Sequence, residues 1–459
     1  LLIIMLKSKN LNILTLSIII FLIPFLEFIE NNINEIDIVL GKSFYFLIIF
    51  TYLFIFLFSY LLNFFIKNIN FSNSLLIFSM TFWILFKHNL INQLLRISFD
   101  SNFIGKTFSS EISLIIILTL ILILSKLIIK GNFFFKRFYF IFFYLSFFFI
   151  IYQINFLKTD LLETDLNNKS SIKFIDQINS EKPNIYFFIL DAMQPVNNFE
   201  KYYKTDLSKF LDEFDKKNYL YLNNTSNLYN NTTYSLSAIF HLDEIFKNEK
   251  LNIDSNVLFP NILRKNKKSN LISNLSNLGY NFKWIGNYFA YCPKFNLKYC
   301  LNQNQNKLID TYLYISFFKK SPLIQIFTNI GYFINFDFNK YLFFDLHDGM
   351  GRLTQYVDNT KNLKKPTFYF IHHMSPHWPY VTNSDCSYKN YSGEENYEGY
   401  KSAYLCNLKK IGETIEILEK KDPNSFVVFQ SDHNWQMSKN IKEKKMIFNL
   451  VKKKENCKY

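Results

Sequence analysis

Glycine and proline are scarce, 11 and 10 in a chain of 459 residues. That excludes a collagen-like or Gly/Pro-rich low-complexity chain, and no period of about 20 to 50 residues marks a solenoid. Charge is thin as well, at 19% against 49% apolar residues, which excludes disorder over most of the length. Cysteine is missing from the first 291 positions; the five are Cys292, Cys300, Cys386, Cys406 and Cys457. No CxxC pair and no Cys/His spacing builds a zinc finger. What is abundant is aromatic surface, with 54 Phe and 30 Tyr. The net charge of +14 invites a nucleic-acid partner. The lysines are dispersed among Asn, Ile and Phe, as a biased coding composition produces, so no nucleic acid is expected.

Long uncharged runs fill the first third. Five apolar stretches cover 11–29, 44–65, 72–86, 112–129 and 138–156. A helix needs about 20 residues to cross a hydrocarbon core of about 30 Å. Four stretches approach that length, while Lys87 and His88 cut the third short. Lys7 and Lys9 precede the first stretch, Lys67 follows the second, and Lys126, Lys130, Lys136 and Arg137 crowd the fourth loop. The intervening loops are acidic or mixed, with Glu27, Glu30, Glu35 and Asp37 in the first. The positive-inside rule then puts the N-terminus in the cytoplasm and everything after five spans outside. The expected organisation is a transmembrane domain at 1–157, a juxtamembrane linker at 158–182, and a periplasmic or extracellular α/β domain at 183–459. Two local disulfides, Cys292–Cys300 and Cys386–Cys406, fit that oxidising side, with Cys457 left over. The chain begins on Leu1 and stops soon after KKMIFNLV, so the last domain is expected to be incomplete at its C-terminus.

Beyond Pro183 the pattern alternates. NIYFFIL, YNFKWIG, PTFYFIHH and SFVVFQSD read as strands, the first, third and fourth as buried strands of a parallel sheet. Between them, Leu207, Phe210, Leu211 and Phe214 share a helix face behind Asp206. Leu271, Ile272, Leu275 and Leu278 share another that Gly279 stops, and Leu405, Leu408, Ile411, Ile415 and Leu418 line a third that Pro423 ends. Such alternation predicts a mostly parallel sheet with helices on both faces.

Three buried-type strands run out into chemistry. The first ends in Asp191, the second in His372, His373 and then His377, the third in Asp432 and His433. Ligands of open α/β sheets sit beyond the carboxyl ends of strands, so these groups can converge on one cation. A single Asp or His at a strand end is more often a cap or loop former; the conjunction is the signal. The segment NNTTYSLSAIF offers a hydroxyl at a helix N-terminus, where free N–H groups favour anions. Two readings of Thr232 stand, a nucleophile made potent by a bound metal or a plain N-cap.

Taken in order, PNIYFFILD, TTYSLS, HHMSPHWPY and FQSDH resemble the sulfatase/alkaline-phosphatase superfamily. The likeness is to its membrane-anchored members related to lipoteichoic acid synthases and phosphoethanolamine transferases. It implies a sulfatase-like fold and a divalent metal on Asp191, Asp432, His433 and the Thr232 hydroxyl. It implies that Thr232 is the nucleophile, with Thr233 the fallback, and that His377 contacts the substrate's phosphate. His372 and His373 receive no role from it beyond strand-end packing. Mixed N and O ligands favour Zn²⁺ or Mn²⁺ over Ca²⁺. The CxPxR or SxPxR segment of sulfatases proper is absent, because Cys292 is followed by Pro293 and Lys294. SDH is followed by Asn434 rather than Gly.

The implied activity is a membrane-bound phosphotransferase. It would move a phosphoglycerol or phosphoethanolamine unit from a phospholipid donor to a lipid or glycan acceptor, through a phospho-Thr intermediate. A sulfatase-like hydrolase of phosphate or sulfate esters is the alternative in the same class. An inactive sulfatase-like scaffold is the alternative outside it, separable by bound metal. A transporter is disfavoured, since few ionisable groups lie in the spans.

Overall fold

The computed structural model describes residues 2–32, 38–65, 70–88, 103–130, 182–242, 269–286, 348–360, 366–389, 397–435 and 445–453, with isolated positions at 91, 317–318, 321–323, 340, 344 and 363. The chain divides into two units, one holding 1–165 with 253–258 and 306–330, the other the remainder.

The first unit is helical: α1 (Leu2–Asn32), α2 (Ile38–Phe65), α3 (Phe71–Leu85) and α4 (Phe103–Lys130). Two helices among the described residues are long and apolar enough to cross a membrane, at Phe44–Phe64 and Ile112–Ile129. Of the five expected spans, these two meet that measure among the described residues. The apolar parts of the first and third, Ile13–Ile29 and Phe71–Leu85, are shorter, and stretch 138–156 lies outside the described residues. On α2 the side chains of Tyr45, Phe46, Ile49, Phe50 and Leu53 stand exposed, an arrangement suited to an apolar solvent. Lys87 does not simply end the third stretch. Its ammonium lies 2.5 Å from Glu27, and His88 bonds Ser113 at 2.8 Å. Phe317 packs in this unit against Phe25, Phe86 and Phe28 with ring centres 4.5, 4.7 and 5.5 Å apart.

The second unit is an α/β layer structure. Its elements are β1 (Ile185–Leu190), α5 (Val196–Tyr203), α6 (Ser208–Lys216), β2 (Tyr219–Tyr221), α7 (Thr232–His241), α8 (Asn270–Asn277), β3 (Asn281–Gly286), α9 (Gly349–Asn359), β4 (Thr367–His373), α10 (Tyr397–Lys421), β5 (Phe426–Ser431) and β6 (Asn449–Lys452). The sheet runs β2-β6-β5-β1-β4-β3. Strands β5, β1, β4 and β3 are parallel neighbours, but β6 is antiparallel to both β5 and β2. The sheet is therefore mixed: a parallel centre with an antiparallel edge. The centre follows from the continuous apolar runs, since both faces are covered.

On one face Tyr186, Phe188 and Leu190 of β1 join Phe429 and the α10 residues Leu408, Ile411 and Ile415 in a core. On the other, Ile189 joins Phe370, Trp284 and the helix residues Leu236, Phe240 and Leu271. Phe188 stacks on Phe429 across β1 and β5 at 4.3 Å, an aromatic pair adding about 1 kcal/mol beyond its burial. Gly279 takes φ +79 behind α8, the left-handed stop its sequence position suggests. Asp206 accepts from the Ser208 N–H at 2.9 Å, one residue ahead of the cap position at Leu207.

Cys386 and Cys406 are joined by a disulfide, as their spacing suggests. Cys292, Cys300 and Cys457 lie outside the described residues.

Candidate metal centre and nucleophile

Register brings the carboxylates together. Leu190 is paired with Ser431 across the parallel β1–β5 ladder, so the next residues, Asp191 and Asp432, leave neighbouring strands at the same level. The ladder continues one step on the β4 side, where the Asp191 N–H donates to His373 O at 2.9 Å. Ala192 then turns at φ 59 and its N–H donates to Asp432 Oδ1 at 3.0 Å. Both carboxylates are sealed from solvent, with Asp191 1% and Asp432 0% exposed.

Strand β4 supplies a third group. Successive residues of a strand face opposite ways, so His372 and His373 part. His372 Nε2 lies 3.4 Å from Asp191 Oδ2, while His373 turns to Asp348 and Asn407. Asp191, His372 and Asp432 each offer a ligand atom within 4.8 Å of the others. His372, given only strand-end packing by the sequence, thus stands with the two carboxylates. Its signal was present, a polar side chain one pair away from the end of a buried strand, but the adjacent His373 is the same residue type and only the pleat distinguishes them. Gly349 opens α9 against this strand end; any Cβ there would collide with the His372 carbonyl oxygen.

His433 completes the group. Its Nε2 lies 3.5 Å from Asp191 Oδ1 and 3.5 Å from Asp432 Oδ2. Its Nδ1 bonds the Asn434 carbonyl at 2.7 Å, which places the proton on Nδ1 and leaves the Nε2 lone pair facing the carboxylates.

Helix α7 brings the hydroxyl. Asn231 is its cap, accepting the Tyr234 N–H at 2.9 Å. The N-cap reading of Thr232 therefore fails: capping is done one residue earlier and the Thr232 hydroxyl is available elsewhere. Its Oγ1 lies 3.4 Å from each oxygen of Asp191 and 3.2 Å from His433 Nε2. The side chain of Thr233, the fallback nucleophile, lies outside the described residues.

His377 stands at the edge. It is half-buried, its N–H donates to Met374 O at 2.9 Å, and its ring centre is 6.4 Å from that of His433. Of the residues singled out in sequence, Asp191, Thr232, Asp432 and His433 are gathered within hydrogen-bond or near-contact range, and His377 flanks them.

The electrostatics suit a cation. Burial pushes the Asp191 carboxyl up, but His377, His372 and His433 outweigh it and hold it well below the usual carboxylate range. Asp432 is raised, by burial and then by the negative charge of Asp191. Burial pushes His433 down, but the charges of Asp432 and Asp191 prevail and raise it. Asp432 Oδ2 is buried with no hydrogen-bond partner among the described residues. An orphaned buried carboxylate oxygen facing a second carboxylate costs several kcal/mol unless a positive charge meets it. Two carboxylates and two imidazoles therefore fit a divalent metal ion.

The sulfatase family profile matches residues 183–450. A search of curated proteins finds no match. Among solved structures, the chain resembles the C-terminal periplasmic domain of EptC from Escherichia coli in complex with Zn, at 14% identity over 61% of this chain and 75% of that one, with a TM-score of 0.38. It also resembles the corresponding domain of the phosphoethanolamine transferase EptC from Campylobacter jejuni, at 13% identity over 59% and 79%, TM-score 0.37. A third likeness is to a sulfatase-type protein of Bacteroides fragilis, at 14% identity over 61% and 69%, TM-score 0.36. The profile match covers more than half of the sequence and contains every strand of the sheet but the last residues of β6: the chain belongs to the sulfatase family.

Proposed function

We propose that this protein is a membrane-bound, metal-dependent phosphotransferase that moves a phosphoryl-bearing headgroup unit by way of a phospho-Thr232 intermediate. The observation that carries the reading is the Thr232 hydroxyl. It is released from capping by Asn231, set at the start of α7, and held 3.4 Å from both oxygens of Asp191. Thr232 Oγ1 attacks phosphorus in a phosphodiester; the Oγ1–P bond forms, the P–O bond to the donor alcohol breaks, and the alcohol leaves with a proton. Asp191, held ionised, orients the hydroxyl and accepts its hydrogen bond. The free N–H groups at the start of α7 favour the phosphate's negative charge. His377 reaches the same space from the β4 side and donates to a non-bridging oxygen or to the leaving alkoxide. A divalent ion, Zn²⁺ or Mn²⁺ by its N and O donors, would be held by Asp191, Asp432, His433 and His372 and would supply the positive charge that stabilises the Thr232 alkoxide. An acceptor hydroxyl on a lipid or glycan then takes the phosphoryl unit from Thr232.

Phosphorus rather than sulfur is favoured by the residue at the nucleophile position. NTTYSLS holds no Cys or Ser in a CxPxR or SxPxR frame. A lipid donor and an extracytoplasmic site are favoured by the apolar helices of the first unit and by the Cys386–Cys406 disulfide. The test is to incubate the purified full chain with a phospholipid labelled in its headgroup and an acceptor lipid or glycan. Label arriving on the acceptor supports transfer. Label released only to water makes the protein a hydrolase, and no release with metal bound contradicts both.

A further inference from the structure

The two histidines that end β4 have opposite surroundings. His372 faces the carboxylates, whereas His373 is 2% exposed and bonded on both sides of its ring. Its Nδ1 accepts from the Met350 N–H at 3.4 Å, and its Nε2 lies 3.1 Å from Asn407 Oδ1. Asn407 is fully buried on α10, and its Nδ2 donates to the Ser375 carbonyl at 2.5 Å. That contact fixes the amide's orientation. Only the Nδ2 side can donate to a carbonyl, so Oδ1 must accept, and His373 carries its proton on Nε2. One side chain thus grips the chain at residue 373 and again at residue 375. His377 follows two residues later, and its own N–H is tied back into the same turn through Met374 O.

The turn that presents His377 lies outside any helix or strand. Within it the His377 N–H meets Met374 O and the His377 Nδ1 meets the Trp378 carbonyl, while Asn407 ties it to a neighbouring element, α10. We propose that Asn407 is a positioning residue for His377, clamping the turn 374–377 so that the imidazole stands beside His433. Lys410, one helical turn along α10, supports the clamp from behind. Its ammonium lies 2.5 Å from Asp348 Oδ2, and Asp348 Oδ1 stands 3.4 Å from His373 Nδ1. Asn407 touches no reacting group; it acts through the place it gives His377. The inference rests on His377 serving the reaction proposed above.

A double-mutant cycle on the full chain tests it, with two measurements that do not depend on one another. Asn407→Asp keeps the acceptor for His373 but removes the donor and sets a carboxylate against the Ser375 carbonyl. Asn407→Leu keeps the volume and removes both arms, in case the charge alone disturbs folding. Turnover of the labelled phospholipid is expected to fall about tenfold or more in the wild-type background and by less than about twofold in the His377→Gln background, with metal content unchanged. Separately, carbethoxylation of His377, followed by peptide mass spectrometry, is expected to run several-fold faster in Asn407→Asp. An equal loss of turnover in both backgrounds, or unchanged reactivity of His377, overturns the proposal and leaves Asn407 a packing residue. Should His377→Gln itself keep full turnover, this proposal and the role of His377 both fall, while the phospho-Thr232 reading stands or falls by its own trapping experiment.

Discussion

Thr232 Oγ1 and His433 Nε2 lie 3.2 Å apart although 201 positions separate them in the chain. The first comes from the opening turn of α7, the second from the residue pair that leaves β5. Their approach depends on Asn231 capping the helix in place of Thr232, and on the His433 ring directing its Nδ1 proton to the Asn434 carbonyl. Asn434 stands where the SDH motif usually continues with Gly. In this chain its carbonyl sets the tautomer of the preceding histidine.

Replacing Thr232 with Ala separates nucleophile from ligand. Turnover is expected to fall by at least about 10³-fold, while metal content measured by atomic emission stays near the wild-type level, because two carboxylates and two imidazoles remain. Turnover within a few-fold of wild type would remove Thr232 from the chemistry.

His372 is the sharpest test of what the pleat adds. As a metal ligand, its replacement by Leu should lower metal affinity by about 10- to 100-fold, read by competition with a chelator. As a packing residue, Leu would be tolerated and the affinity would stay unchanged. Asp432→Asn is the companion, and it should lower metal affinity further by removing a charge.

Acid should weaken the second unit through His373. Burial pushes that imidazole down to about 4, against about 6.5 for a solvated one. Between those values the unfolded chain binds a proton that the folded one refuses. Stability therefore rises with pH across this window, is fully present above about 6.5, and is lost as pH falls toward 4. The loss is on the order of 3 kcal/mol at most. His373→Gln should flatten the fall in melting temperature between pH 6.5 and 4 relative to wild type; an unchanged slope would contradict the assignment.

The Cys386–Cys406 disulfide closes a loop with a sequence separation of 20, and its Cys406 end lies on α10, the helix that carries Asn407. A crosslink of that span contributes about 3 kcal/mol. Cys406→Ser should lose stability of that order in thermal unfolding, and the linked peptide should appear in a non-reducing digest of wild type. Free thiols at both positions in protein taken from its native compartment would argue against an oxidising side.

Much of the second unit was legible because buried parallel strands write themselves as continuous apolar runs. NIYFFIL, YNFKWIG, PTFYFIHH and SFVVFQSD became β1, β3, β4 and β5. The stripes ending at Gly279 and before Pro423 became α8 and α10. The antiparallel edge was not legible. Strand β6 has four residues and β2 three, too short for a period, and their partners are set only by the sheet. In the site, residue type at strand ends singled out Asp191, Asp432 and His433, which the structure brings within 3.5 Å of one another through His433. It failed to separate His372 from His373, since that depends on which face of the pleat each occupies. Asn407 was invisible, because a buried amide inside an apolar helix stripe resembles any other polar interruption until its two partners are seen.

In the proposed reaction Thr232 carries the phosphoryl unit. The most direct measurement is to quench the full chain during turnover of a headgroup-labelled phospholipid, digest it, and sequence the labelled peptide by mass spectrometry. The account predicts a single phosphorylated site at Thr232, absent from Thr232→Ala. Label on another residue, or turnover without any labelled peptide at saturating donor, would contradict it.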